Sequence, residues 1–266
     1  MAVYTDLVRY RELFASLFRR DFHAKYRGSV LGVLWSLVNP LALMAVYLLV
    51  FGVIWDKQKQ IPHYPLYLLA GIACWLFFAL SLQTGARSMV DSAELIKKVR
   101  FPRQLVAFSV VATQAITFAI MLAILIVLSL VFIPAARATV WVALPLALLY
   151  AGFVAGVALV AACLNVMLRD TEHILAAALI PWFFLTPILW SFATIPPSAA
   201  AHHKLIAVLK WGNFVAPPIA AVRDALWSGR LPAAGDVIYL AVAAVVALAV
   251  GSLVFRRIDD RLAIEL

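Results

Sequence analysis

Six apolar runs govern what this chain can become: residues 32–55, 65–86, 104–133, 140–168, 174–192 and 237–255, none of which contains Asp, Glu, Lys or Arg. About 20 helical residues cross a bilayer's hydrocarbon core, and only helices or closed barrels can satisfy their backbone there. Barrel strands would show alternating segments of about ten residues, and these runs are continuous. The fold class that follows is all-α integral membrane, a single domain over 1–266 with six transmembrane helices. The long third and fourth runs imply tilt. Composition agrees, at 65% hydrophobic, 13% charged and mean hydropathy +0.99, where a soluble chain is about a quarter charged.

The net charge is +9. In a soluble protein that balance would suggest nucleic acid, but here the cations are sorted by connecting segment, and no nucleic-acid partner is expected. With the N-terminus cytoplasmic, fifteen Lys and Arg fall on that side, in the segments around Arg9–Arg27, Arg87, Lys97–Arg103, Arg169 and Arg256–Arg261, against seven opposite. That asymmetry obeys the positive-inside rule with both termini cytoplasmic. The basic N-terminal segment leads into a full-length run without a small-residue cleavage site, so the first span is expected to be retained.

Three connecting segments carry information. Residues 4–27 place Leu7, Tyr10, Phe14, Leu17, Phe18 and Phe22 on one helical face and Arg9, Arg20 and Arg27 on the other, which predicts an interfacial amphipathic helix with its aromatics at the acyl boundary. Residues 91–103, in "DSAELIKKVRFPRQL", lead with Asp91 and Glu94 and trail with Lys97, Lys98 and Arg100. That order suits a short helix dipole, which Pro102 separates from the next span. Outward residues 193–236 hold Pro196, Pro197, Pro217, Pro218 and Pro232 around two apolar stretches too short to span. Loops this long without structure are uncommon, so two short re-entrant helices are expected.

Some chemistry is excluded. Ion-coupled carriers keep acidic or basic groups inside the bundle, and the six runs have none. There is no GxxxxGK[ST] loop, so any ATP hydrolysis belongs to another subunit. His23, His63, His173, His202 and His203 make no metal-binding motif, no metal site is expected, and Cys74 and Cys163 sit in apolar runs as packing residues. "GFVAG" at 152–156 has the spacing that lets helices approach closely.

The segment "RRDFHAKYRGSVLGVLWSLVNPLALMAVYLLVFGVIW" at 19–55, with "ELIKKVRFPRQL" at 94–105 and "LNVMLRDTEHILAAALIPWFFLTPILW" at 164–190, resembles the ABC-2 type permeases that export bacterial cell-surface polysaccharides, in the O-antigen and teichoic acid branch. The resemblance implies a multi-pass permease of the bacterial cytoplasmic (inner) membrane, not itself an enzyme. It would act as a homodimer with two copies of a separate ABC nucleotide-binding subunit, which would hold ATP and Mg; no cofactor is expected in this chain. The same likeness makes 91–103 the coupling helix. One departure is visible: relatives often carry Asn-Pro where Asn213 is followed by Phe214.

The implied cargo is a polyprenyl-pyrophosphate-linked glycan, with O-antigen first and teichoic acid or capsular polysaccharide as alternatives. Beyond these stand a hydrophobic small molecule carried by an ABC-2 exporter, and a passive channel outside the ABC class. Arg19, Arg20, Lys25 and Arg27 are the headgroup candidates, since charge-assisted bonds to a pyrophosphate are strong and selective; a topology anchor among membrane lipids is the competing reading. Tyr47, Phe51, Trp55, Trp182, Phe183, Phe184 and Trp190 are candidates for an aromatic channel lining along which sugar faces slide, against an ordinary interfacial belt or core. Ser36 and Pro40 fall on the same stripe of the first span as Tyr47, Phe51 and Trp55, with Pro40 expected to loosen the helix. Glu94, Lys97, Lys98, Arg100, Phe101 and Pro102 are the candidates for coupling to the ATPase.

Overall fold

The computed structural model describes residues 6, 9–29, 32–56, 59–99, 101–195 and 203–265. Leu7, Lys57, Arg100, Pro196, Pro197 and His202 therefore lie outside the described residues, as does most of the expected helix before Arg9. The labelled elements are all helical, in the order α1 Arg11–Tyr26, α2 Trp35–Tyr47, α3 Tyr64–Asp91, α4 Ala93–Lys98, α5 Gln104–Phe132, α6 Ala143–Met167, α7 Thr171–Leu185, α8 His203–Ala207, α9 Ala216–Trp227 and α10 Ala234–Glu265.

Among the described residues, five helices are long and apolar enough to cross a membrane: Trp35–Ile54, Tyr64–Asp91, Gln104–Phe132, Val140–Met167 and Ala234–Asp259. The first of these is not uniform. Pro40 removes one backbone hydrogen bond, yet α2 runs through it. The departure from α geometry comes later, in a π-helical stretch at Leu48–Ile54 that ends with the Trp55 N–H on the Val50 carbonyl at 3.0 Å.

The fifth span is shorter than its apolar run. Instead of one helix over 174–192, α7 stops at Leu185 after 15 residues, about 22 Å of helix at 1.5 Å per residue, short of a ~30 Å hydrocarbon core. Pro187 explains the stop, because it pushes the preceding residue out of helical geometry, and Thr186 is extended at φ −89, ψ 135. Backbone that leaves a helix at membrane depth needs protein partners, and neighbouring side chains supply them. Tyr64 donates to the Leu189 carbonyl at 2.8 Å, Tyr67 lies 2.6 Å from the Trp190 carbonyl and 3.1 Å from that of Pro187, and Arg223 donates to Pro187 at 2.6 Å.

Between α7 and α10, the helices His203–Gly212 and Ala216–Trp227 meet at a bend of 81°, as the two apolar stretches around the prolines predict. Together they form either a broken span or a re-entrant pair.

α3 is the hub. Tyr67, Leu68, Ala70, Phe78 and Ala86 are fully buried, and α5, α6, α9 and α2 pack around it. Small residues set the closest crossings. A Cβ on Gly156 would lie 2.4 Å from the Ala247 carbonyl carbon of α10, and one on Gly251 would lie 2.8 Å from the Gly156 carbonyl oxygen. The spacing at 152–156 thus marks a real contact, carried by Gly156; Gly152 meets only the Leu248 side chain at 3.6 Å. Cys74 and Cys163 are buried free thiols.

α1 departs from expectation in what it touches. Its apolar face packs partly on protein, with Leu17 buried against Leu105 and Val106 and flanked by Tyr10, Leu13 and Phe14. The helix therefore lies along the first turns of α5.

Candidate functional site

Where α1 meets the bundle, the four N-terminal cations divide. Arg20 pairs with Asp21 at 2.8 Å and donates to Ser92 at 3.2 Å, while Ser109 of α5 donates to Asp21 at 2.6 Å. This network ties α1 to the turn after α3 and to α5. Arg19 and Arg27 are exposed, with no polar partner among the described residues. Lys25 is exposed too, but its ammonium reaches α5, donating to Gln114 Oε1 at 2.7 Å and to Thr117 Oγ1 at 3.0 Å.

Both acceptors belong to a polar cluster inside the apolar bundle. Tyr26 and Ser36 share a hydrogen bond of 2.6 Å, Tyr26 and Thr117 one of 3.3 Å, and Thr117 donates to Ser36 at 3.3 Å. Gln114 is buried and reaches Thr84 at 3.5 Å. Burial acts to raise the Tyr26 phenol's pKa, but hydrogen bonds to Ser36 and Thr117 and the Lys25 charge outweigh it and hold the group below its ordinary value. The cluster lines a cavity of about 280 Å³, with Trp35 and Asn39 also on its wall. Ser36 and Pro40, the first part of the sequence stripe, both face this space.

The aromatic part of the stripe continues beyond it. Tyr47, Phe51 and Trp55 form a ladder with ring centroids 6.2 and 5.1 Å apart, and Tyr47 stacks on Phe183 of α7 at 5.5 Å. A second cavity, about 250 Å³, opens between α2, α3 and α7 and is lined by Tyr47, Phe183, Phe184 and Gln83. Of the seven channel candidates, Tyr47, Phe183 and Phe184 thus border one space. Trp182 points elsewhere, donating to Asn213 Oδ1 at 2.9 Å and packing on Phe214 at 4.9 Å. Trp190 donates to the Phe184 carbonyl at 3.1 Å and sits against Phe192, and Trp55 is 61% exposed.

At 91–103 the helix itself is short, Ala93–Lys98, followed by an extended Val99. Glu94 pairs with Lys98 at 2.8 Å on an exposed face, and Lys97 is exposed beside them. Phe101 packs into the core next to Met89, Ile96 and Phe108 and also touches the Leu17 cluster. After half-buried Pro102, Arg103 pairs with Asp259 of α10 at 3.3 Å. The segment thus presents charge outward while its aromatic anchor is tied to α1, α3 and α5.

Sequence reasoning missed two sets of residues. Gln114 and Thr117 could have been found, as polar side chains three apart inside the apolar run 104–133. Arg223 was counted only as an outward charge. It is 5% exposed, lies 4.1 Å from the Tyr67 ring centroid, and reaches Asp224 at 3.3 Å as well as the Pro187 carbonyl. No local pattern in "APPIAAVRDALW" signals that burial, because all its partners but Asp224 lie on α3 and beyond α7.

Known proteins carry the same arrangement of sequence. The chain is 34% identical over 253 residues, 94% of each partner, to the O-antigen export system permease protein RfbA of Myxococcus xanthus. It is 28% identical over 221 residues, 83% of this chain and 82% of the relative, to a protein of the same name from Klebsiella pneumoniae. Residues 12–226, from α1 to the end of α9, match the family described as ABC-2 type transporter, and this multi-pass membrane protein belongs to that family.

Proposed function

We propose that the chain is the transmembrane subunit of an ATP-driven exporter that moves a lipid-linked cell-surface polysaccharide, O-antigen foremost, across the cytoplasmic membrane. The observation that carries this reading is the 34% identity over 94% of both chains to an O-antigen export permease. In it, two copies of this chain enclose the path and a separate ABC subunit hydrolyses ATP. The fifteen-to-seven distribution of cations supports a cytoplasmic basic end, where α1 and α4 face the ATPase and the supply of lipid-linked glycan.

The proposed route begins at α1. Arg19 and Arg27 are the cations free to meet a pyrophosphate from outside, and Lys25 meets it where its ammonium reaches α5. The glycan then follows the ladder Tyr47, Phe51 and Trp55, facing Phe183 and Phe184, where a neutral aromatic wall offers stacking without strong traps. α4 transmits the ATPase stroke through Phe101 to α1 and α3. The helix pair 203–227 forms a re-entrant outer closure.

Deleting the gene and restoring it tests the reading. Loss of surface glycan with accumulation of lipid-linked polymer inside the cell, reversed by this chain together with its co-purifying ATPase, is the expected result. Normal surface glycan in the deletion strain, or transport by the purified chain without ATP, would sink it.

A further inference from the structure

The two ends of α7 are held to the bundle in unlike ways. We infer that the outer end is a fixed pivot and that the ion pair of Arg87 with Glu172 at the inner end is a latch, closed in this structure, whose release lets α7 turn away from α3 and admits the glycan to the cavity bordered by Tyr47 and Phe183. The latch deepens the export reading and rests on it only for what passes through.

The outer end has many partners. Trp182 donates to Asn213 Oδ1 at 2.9 Å and the Asn213 amide donates to Thr186 at 3.0 Å. The carbonyls of Pro187, Leu189 and Trp190 are met by Tyr64, Tyr67 and Arg223, all three buried. At the inner end the Glu172 N–H donates to Asn165 Oδ1 at 3.1 Å, which with the short turn 168–170 keeps the start of α7 beside α6. The Glu172 side chain crosses to α3 instead: Arg87 Nε lies 2.8 Å from its Oε2 and Nη2 3.3 Å from its Oε1. Among the described residues this is the one polar tie between α3 and α7. Two hydrogen bonds on one carboxylate fix a direction, yet the Arg87 side chain is 58% exposed, and an exposed ion pair contributes little to stability. Such a pair holds a position and lets it go at small cost. His173 Nε2 stands 3.7 Å from the same carboxylate, so Glu172 keeps a polar neighbour when Arg87 leaves.

Placement makes the pair a gate and not a mere surface contact. Trp75, Ala79 and Gln83 of α3 and Leu179 and Phe183 of α7 line the cavity. Residues four apart stand one above the other on a helix, so Arg87 continues the first row by one turn past Gln83, and Glu172 continues the second by two turns before Leu179. The pair therefore bridges the two walls just past the Gln83 end of the cavity, at the end where the basic segments cluster, which the export reading makes the cytoplasmic mouth. Little else holds α7 there. Of its fifteen residues only Leu179 and Phe183 are buried within one copy, and both are cavity wall, so what opening uncovers an entering sugar covers. Beyond Leu185 the backbone is already extended at Thr186, and a turn about such an element end needs no helix to unwind.

A cysteine in place of Gln83 reports the latch. In the full-length Gln83→Cys protein in nanodiscs, labelling of that thiol by a water-soluble maleimide should quicken several-fold when Glu172→Gln or Arg87→Met is added. The two changes shift the local charge in opposite directions, so a rise in both reports opening and not an altered thiol. Native Cys74 and Cys163 are buried and should stay unreactive; should a charge variant expose either, the cross-linked form alone decides. That form carries Arg87→Cys and Glu172→Cys joined by a reducible bis-methanethiosulfonate linker, because an Arg–Glu pair spans more than a disulfide can. In inverted membrane vesicles containing the ATPase, it should lose at least tenfold in ATP-driven polymer export and regain it on reduction. Unchanged labelling in both charge variants, or undiminished export with the linker in place, overturns the latch. The labelling arm needs no transport, so opening in a protein that exports no glycan in any form would refute the export reading and leave the hinged α7 standing.

Discussion

Lys25 and Arg223 are both cations bonded to the apolar bundle, one exposed and one buried, and they are held in opposite ways. Arg223, toward the end bearing the bent helix pair, is 5% exposed, and its guanidinium is shared among the Pro187 carbonyl, the Tyr67 ring and Asp224. Lys25, at the basic end, is exposed and leans on the Gln114 amide and the Thr117 and Tyr26 hydroxyls beside open space. A planar, always-charged fork suits a fixed buried node, and a flexible ammonium suits a site that must accept and release. The difference separates a buried structural cation from an exposed one within one chain. The first holds together a span that the helix alone does not complete, and the second has no carboxylate partner among the described residues.

The largest effect should come from breaking the architectural side. Arg223→Met leaves the Pro187 carbonyl and Asp224 without their cation, and removing one partner of a buried pair costs about 3–5 kcal/mol. The expected outcome is a large fall in Tm and in yield of folded protein in detergent. Arg223→Lys should recover little of this, because the fork and its stacking on Tyr67 are lost. Lys25→Met, by contrast, should cost only about 1 kcal/mol, since the lysine is exposed, Thr117 keeps Ser36 and Tyr26, and the Gln114 Oε1 alone loses its donor. Equal Tm for Arg223→Met and the parent would erase the distinction.

The next effect sharpens the same contrast in the packing. Gly156→Ala places a methyl 2.4 Å from the Ala247 backbone of α10, where no side chain can yield, so about 1–3 kcal/mol of overpacking strain is expected. Gly152→Ala meets only Leu248 at 3.6 Å and should be neutral in the same thermal assay. A reversed order would mean that α6 and α10 cross elsewhere.

These contrasts mark how far sequence reasoning reached. Spans were legible because bilayer thickness writes its length into the apolar runs, and the basic end because charge sorting is one-dimensional. The α7 break was half legible: Pro187 stands in "LTPILW", but whether a proline kinks or ends a membrane helix depends on whether donors wait nearby, and Tyr64, Tyr67 and Arg223 lie 36 to 125 residues away in sequence. The headgroup candidates were legible as a cluster and not as individuals. That Arg20 is bound to Asp21 and Ser92 while Lys25 reaches Gln114 and Thr117 is fixed by the docking of α1 on α5, and helical periodicity carries no information about that. Among the aromatics, Tyr47 and Phe183 were placed together only by the approach of α2 to α7.

Moderate functional effects should follow along that aromatic path. Tyr47→Ala opens a ring stack on Phe183 that is only half-buried, so polymer export should fall several-fold with folding preserved. Trp182→Phe, whose indole serves Asn213 rather than the cavity, should lower Tm more than it lowers export per folded molecule. If Trp182→Phe proves the more damaging to export at equal folded yield, the path runs on the other face of α7.

The smallest effect on stability should come from Glu94, which adds a third kind of charge to the comparison. Its carboxylate is 81% exposed and, among the described residues, meets only Lys98, one turn on, and pairs of that kind contribute about 0.3–0.5 kcal/mol. Glu94→Ala should therefore leave Tm unmoved. Phe101→Ala, which withdraws a ring from the core beside Met89 and Phe108, should lower it. If α4 is the element the ATPase grips, Glu94→Ala should still weaken co-purification of that subunit or uncouple its ATP hydrolysis from export, an effect with no folded-state cause. Export and ATPase activity both at parental levels in Glu94→Ala and in the Glu94→Ala, Lys97→Ala double variant would place the docking surface away from α4. A charge with neither buried partners nor a cavity owes its position to nothing inside this chain, so what it does must be read in the presence of the partner.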